Sequence, residues 1–140
     1  MSFWQNLLQR FFPFRGSVYR RIGGQKAITQ LVDDFYHVME TDPKARECLL
    51  THQGRDLAVA GEKLKAFLAG WLGGPQLYME KYGHPRLRAR HHIFTIGTVE
   101  AQQWLYCMEE ALKKSTIDHA SQQQMMEAFR GLTEVIKNRD

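Results

Sequence analysis

Chemistry-bearing residues are densest in GHPRLRARHHIF, Gly83 to Phe94, which holds three of the chain's six histidines and three arginines. Pro85 suits the first position of a helix, where its fixed φ is already set and its missing N–H would have had no partner. A short helix over about Pro85 to His91 is therefore predicted. On it Leu87 and His91 lie four apart on one face, whereas His92 is rotated by about 100°. A flat apolar ligand with a metal at its centre would meet Leu87 and His91 together, so His91 is the best-placed ligand of the three. His84 precedes the proline and points elsewhere. A solvated basic helix with a hydrogen-bonded histidine would produce the same pattern.

Helical periodicity supplies the elements that must position such a group. Gly23-Gly24 breaks the chain. Beyond it Ile28, Leu31, Val32, Phe35 and Met39 mark a buried face across roughly Gln25 to Glu40. Tyr36 sits at the border of that stripe, so its ring can pack while its phenol reaches an interior cavity. Asp42-Pro43 reads as an N-cap and first helical residue opening another short helix. LLTHQGRD, residues 49 to 56, reads as a loop. A second helix follows, with Leu57, Ala60, Leu64, Phe67, Leu68 and Trp71 on one side, and Gly73-Gly74-Pro75 ends it. Thr98 can cap a helix carrying Ala101, Trp104, Leu105, Met108, Ala111 and Leu112. Asp118 can cap the last, with Met125, Ala128, Phe129, Leu132, Val135 and Ile136 inside. No alternating stretch of strand length survives, so the fold class is all-α.

A chain of 140 residues with 44% hydrophobic and 24% charged residues fits one folded domain and argues against disorder. The net charge of +4 is scattered along the chain, which argues against nucleic acid as a partner. Cys48 and Cys107 fit no metal or redox spacing, and a reducing, cytoplasmic setting is the simple inference. No apolar run approaches a membrane span, and the first residues lack the form of a signal peptide.

WLGGPQLY at 71–78, GHPRLRARHHIF at 83–94 and QWLYCM at 103–108 stand in the order and spacing of group II truncated haemoglobins. The sequence resembles that family from about Tyr19 to its end. The resemblance implies a globin-like two-over-two helical sandwich over residues 18–140, with residues 1–17 as an N-terminal extension. It also implies haem b as cofactor, with dioxygen and other diatomic gases (NO, CO) as ligands.

By the same resemblance His91, last residue of the RxRH pattern Arg88-Ala89-Arg90-His91, is the proximal iron ligand. Tyr36 and Trp104 are distal hydrogen-bond donors that would slow the escape of a partly negative dioxygen ligand. Leu64 and Phe67 line the distal helix face, and Ala60 stands where other globins often place a gating residue. Leu87 and Phe94 pack on the proximal side, and Met108 lies deeper in the pocket. Tyr78, Lys63, Arg88 and Arg90 are candidates to meet the haem propionates, with Tyr78 and one arginine preferred. The sequence departs from many relatives at Leu49, where they carry an aromatic near the ligand. His52, three residues on, is read either as an exposed loop histidine or as a distal donor or sixth ligand.

Two further readings stay open on the sequence. One is a haem-free helical sensor or adaptor that binds a partner through the basic helix at 85–91. The other concerns MSFWQNLLQRFFPF, residues 1–14, whose aromatic stripe fits either docking on the globule or a weak, reversible membrane-surface contact. The expected assembly is a monomer or weak dimer, with an unidentified reductase and NO-dioxygenase or peroxidase-like turnover as secondary expectations.

Overall fold

The computed structural model describes residues 18–84 and 96–137. The N-terminal extension and the predicted helix at 85–91, with Leu87, Arg88, Arg90, His91 and Phe94, lie outside the described residues. Among those described, all regular structure is helical: α1 (Val18–Ile22), α2 (Gly24–Thr41), a 3-10 turn (Pro43–Ala45), α3 (Arg46–Thr51), α4 (Leu57–Trp71), α5 (Leu77–Tyr82), α6 (Thr98–Lys114) and α7 (His119–Ile136). The long helix α2 packs on α4 at one side and on α6 at the other, and α7 packs on α6. No helix of the described residues is long and apolar enough to cross a membrane.

The starts of these helices follow from side chains that reach back to orphan backbone donors. Asp42 accepts from Lys44 N at 3.0 Å, Asp56 from Ala58 N at 2.9 Å and Asp118 from Ser121 N at 2.9 Å. Helix α6 departs from expectation. Gly97, not Thr98, holds the cap position, and its N–H donates to Glu100 Oε2 at 3.1 Å. The Glu100 carboxylate reaches back to the cap backbone there, and no hydroxyl is used. Gly23 takes φ +113°, a conformation that side chains rarely adopt, and turns the chain between α1 and α2.

The α2 face is buried as its period implies: Ile28, Leu31, Val32 and Phe35 are fully enclosed. The stripe on α4 is graded instead. Phe67, Leu68 and Trp71 are buried, whereas Leu57, Ala60 and Leu64 are half-buried. Two expectations need correction. Residues 49–51 belong to α3, so the predicted loop shrinks to a turn at 52–56. Val135 and Ile136, expected inside, are half-buried because α7 ends there.

Cys48 and Cys107 are buried free thiols, and burial pushes both up to about 12, so neither is an active nucleophile near neutrality. At the surface, the Tyr106 hydroxyl donates to Asp42, and this bond with the Lys44 N–H holds the Asp42 carboxyl below its ordinary value of 3.8. A depressed carboxyl stabilises the fold above the ordinary value and loses that contribution as acid carries it through the lowered folded value. Asp42→Asn should therefore flatten the acid limb of a plot of urea midpoint against pH. Parallel limbs in the two proteins would show that Asp42 contributes nothing there.

Candidate functional site

Three of the predicted distal residues converge. Phe35 packs its ring on Tyr36 (centroids 4.9 Å) and on Trp104 (5.0 Å), so α2 brings the phenol and α6 brings the indole to one shared aromatic. Both side chains are half-buried, and the Tyr36 ring runs alongside Gly61 of α4. Burial, and then the nearby Cys48 thiol, raise the Tyr36 hydroxyl above the ordinary phenol value of 10.0. It therefore keeps its proton and remains a donor, and it donates to no other described residue.

His52 closes the group, its ring edge-on to Tyr36 at 6.0 Å. Its Nδ1 faces Cys48 O at 3.0 Å and Thr51 Oγ1 at 3.2 Å, and the Thr51 hydroxyl already donates to that same carbonyl at 2.6 Å. Two acceptors around Nδ1 assign the proton there, leaving the Nε2 lone pair in the neutral ring. In that form His52 presents an acceptor or metal-ligand atom. It donates from Nε2 only as imidazolium.

Gln103, which sequence reasoning missed, fixes this arrangement. The first turn of α3 has no side-chain cap of its own at Ala45. Gln103 on α6 supplies one, accepting from Cys48 N at 2.8 Å while its amide donates to Glu47 Oε2 at 2.6 Å. The helix carrying Leu49 and leading into His52 is thus tied to the helix carrying Trp104. The only local hint was a polar residue beside Trp104.

A second set gathers on α4 and α5. Tyr78 is buried against Phe67 (6.3 Å) and Tyr82 (4.9 Å), and Lys63 sets its ammonium 5.5 Å from the Tyr82 ring centre. Tyr82 was not foreseen, since nothing in the local pattern marks a second phenol at the end of α5. Leu49 and Leu64 are half-buried against the core, Ala60 is half-buried in the first turn of α4, and Met108 is fully enclosed. His91, Arg88, Arg90, Leu87 and Phe94 lie outside the described residues, so the proximal half of the prediction has no geometry here.

The described set fits a flat apolar cofactor that brings its own metal. Leu49, Leu64, Tyr36 and Trp104 are half-buried apolar or aromatic surface carrying two hydrogen-bond donors, while Lys63 is exposed and Tyr78 is buried. The donors are single and spaced, and among the described residues no three His, Cys, Asp or Glu converge as a bare-ion cage.

The family profile for bacterial-like globins matches residues 17–138. The chain belongs to that family. A group 2 truncated haemoglobin of Bacillus subtilis, YjbI, is 42% identical to this globin over 89 residues, covering 64% of each chain. The globin therefore spans just under two thirds of that relative's own length. The group II 2-on-2 haemoglobin of Agrobacterium tumefaciens superposes with a TM-score of 0.82 at 35% identity, covering 90% of this chain and 97% of that one. A truncated haemoglobin of Bacillus subtilis described as oxygen-avid gives 0.77 at 32% identity over 88% and 100%. The fold is the two-over-two helical sandwich, and the globin is of the group II truncated type.

Proposed function

We propose that this globin binds haem b and reversibly holds dioxygen and other diatomic ligands such as NO and CO. The observation that carries the reading is the pairing of Tyr36 and Trp104 across Phe35, which brings two donor-bearing rings from different helices onto one aromatic. The oxygen-avid character named for the Bacillus subtilis structure supports the same reading.

Haem would supply the iron at which the ligand binds, and His91 would hold that iron from the proximal side. The remaining work belongs to this chain's side chains. Tyr36 keeps its phenolic proton because burial disfavours the phenolate, and so can donate it in a hydrogen bond to a negatively charged ligand. Trp104 offers an indole N–H that cannot also accept. Leu49 and Leu64 would exclude water, which strengthens both bonds. Lys63 and Tyr78, with Arg88 or Arg90, would take the propionates, and Leu87, Phe67, Phe94 and Met108 would pack the ring. His52, with a lone pair at Nε2, is the candidate sixth ligand. If it occupied the iron, apparent affinity would fall with the occupied fraction. Redox turnover of nitric oxide or peroxide is the narrower reading, and it needs a reductase to return the cofactor to the ferrous form.

Absorption spectra of the purified protein in ferric, ferrous and carbonyl forms test the proposal. A Soret band is expected, lost or greatly weakened in His91→Ala. Protein that stays free of haem after expression with ample iron and haem precursor would instead favour a helical sensor or adaptor.

A further inference from the structure

Between the two residue sets runs a line of touching rings, and three of its members, Phe129, Trp71 and Tyr82, have no part in the proposed ligand binding. Trp104 meets Phe129 at 5.4 Å, Phe129 stacks on Trp71 at 4.7 Å, and Trp71 stacks on Phe67 at 6.2 Å. Phe67 then meets Tyr78 at 6.3 Å and Tyr78 meets Tyr82 at 4.9 Å. We propose that this line conducts electrons one at a time, from the partly exposed Tyr82 phenol inward to the Trp104 indole beside the ligand pocket.

The order of the side chains fits that direction. The two indoles and two phenols are the oxidisable stations, and in each longer gap a single phenylalanine ring bridges them. Phenols lose an electron together with their proton more readily than indoles near neutrality, so an electron vacancy made on Trp104 runs outward to tyrosine. Tyr36 reaches Trp104 through Phe35 alone, so a decay that persists without Tyr78 and Tyr82 would place the vacancy there instead. Tyr82 is half-buried, so its hydroxyl is within reach of water, and Lys63 and Lys81 set their ammonium groups 5.5 and 5.4 Å from its ring centre. Tyr106 is a second competitor. It lies two residues beyond Trp104 and hydrogen-bonds to Asp42, yet its ring touches none of the line.

The oxidant served by such a route is a peroxide reacting in the pocket. Reduction of one hydrogen peroxide to two waters takes up two electrons and two protons. Each electron drawn along the line leaves a phenoxyl radical at Tyr82 and releases its proton, and an external one-electron donor such as ascorbate restores the phenol. The route rests on ring geometry and not on the haem reading, because the vacancy can also be made without haem.

The test is pulse radiolysis of the full-length protein in a Trp4→Phe background. Azidyl radical takes one electron from an indole, becoming azide, and the indole loses its N–H proton. Tyr82 then gives an electron to the indolyl radical, which takes back a proton, while the phenolic proton passes to water. The expected result is first-order decay of indolyl absorbance matched by growth of phenoxyl, independent of protein concentration. Replacing both Tyr78 and Tyr82 with phenylalanine, which keeps the ring shapes, should slow that decay at least tenfold, and Tyr106→Phe should leave it unchanged. Decay indifferent to Tyr78 and Tyr82, or slowed by Tyr106→Phe instead, overturns the route. Nitroso spin-trapping with mass-spectrometric mapping gives a second reading on protein with both phenols intact. Adducts should fall on Tyr82, and adducts confined to Tyr106 or Tyr19 would end the proposal.

Discussion

Trp104→Phe is expected to speed dioxygen release roughly ten- to a hundred-fold. A hydrogen bond to a charged acceptor contributes about 1.5–3 kcal/mol, and each 1.4 kcal/mol is a factor of ten. The exchange removes the indole N–H together with part of the ring, and the smaller ring can still make the edge contacts to Phe35 and Phe129 that hold Trp104. Stopped-flow displacement of dioxygen reads the effect directly. Carbon monoxide carries less charge when bound, so its release should change far less. Tyr36→Phe should act in the same direction, and if both donors reach one ligand the double variant should fall short of the product of the single effects. An unchanged dioxygen off-rate in Trp104→Phe would remove the indole from the mechanism.

Gly74→Ala should destabilise the protein by about 1–3 kcal/mol, the usual cost of forcing a methyl into a filled site. A Cβ at Gly74 would lie 2.5 Å from Tyr19 Cγ and 2.6 and 2.8 Å from its neighbouring ring carbons. That ring cannot simply swing away. Tyr19 N donates to Leu72 O at 2.8 Å, and its hydroxyl donates to Gln25 Oε1 at 3.3 Å. Moving the ring would therefore loosen α1 from the corner between α4 and α5. Gly70→Ala is the matched control. Its Cβ would also come close, 2.7 Å from Gln76 Oε1, but the atom it meets ends a flexible, exposed side chain. Urea midpoints should drop clearly for the first variant and by well under half as much for the second. Equal losses would show that Tyr19 is not what makes Gly74 necessary.

The contrast between these two glycines also marks what could be read from the chain before its structure. Helices α2, α4, α6 and α7 announce themselves because Ile28 to Met39, and the corresponding stripes later on, repeat at the helical period, which is a local property. Asp42 and Asp118 act as caps through backbone two or three residues away, so they too were legible. Helix α3 was legible only as a short helix opened by Asp42-Pro43, and its extent to Thr51 was not, since its first turn is satisfied by Gln103, fifty-five residues distant from Cys48. The short α1 likewise depends on the fit of Tyr19 over Gly74. At the candidate site, Tyr36 could be placed at the border of its stripe by spacing alone. The roles of Trp104 and His91 came from resemblance, because an indole on an apolar face and a histidine in a basic stretch look the same whether or not they meet a cofactor. His52 was legible as a residue, but its proton could be assigned only from the carbonyl and hydroxyl that surround Nδ1.

The amide of Gln103 has a consequence for how affinity in this protein can drift. Being partly solvent-facing, it is open to substitution without entering the interior, yet it decides how far the short helix before His52 stands from the tryptophan helix. Exchange for leucine or glutamate would reset that spacing from outside. Under the proposed reading, a change at position 103 would alter how long a gas molecule is kept with every inner-wall residue left in place, and a survey of wall residues alone would miss the cause.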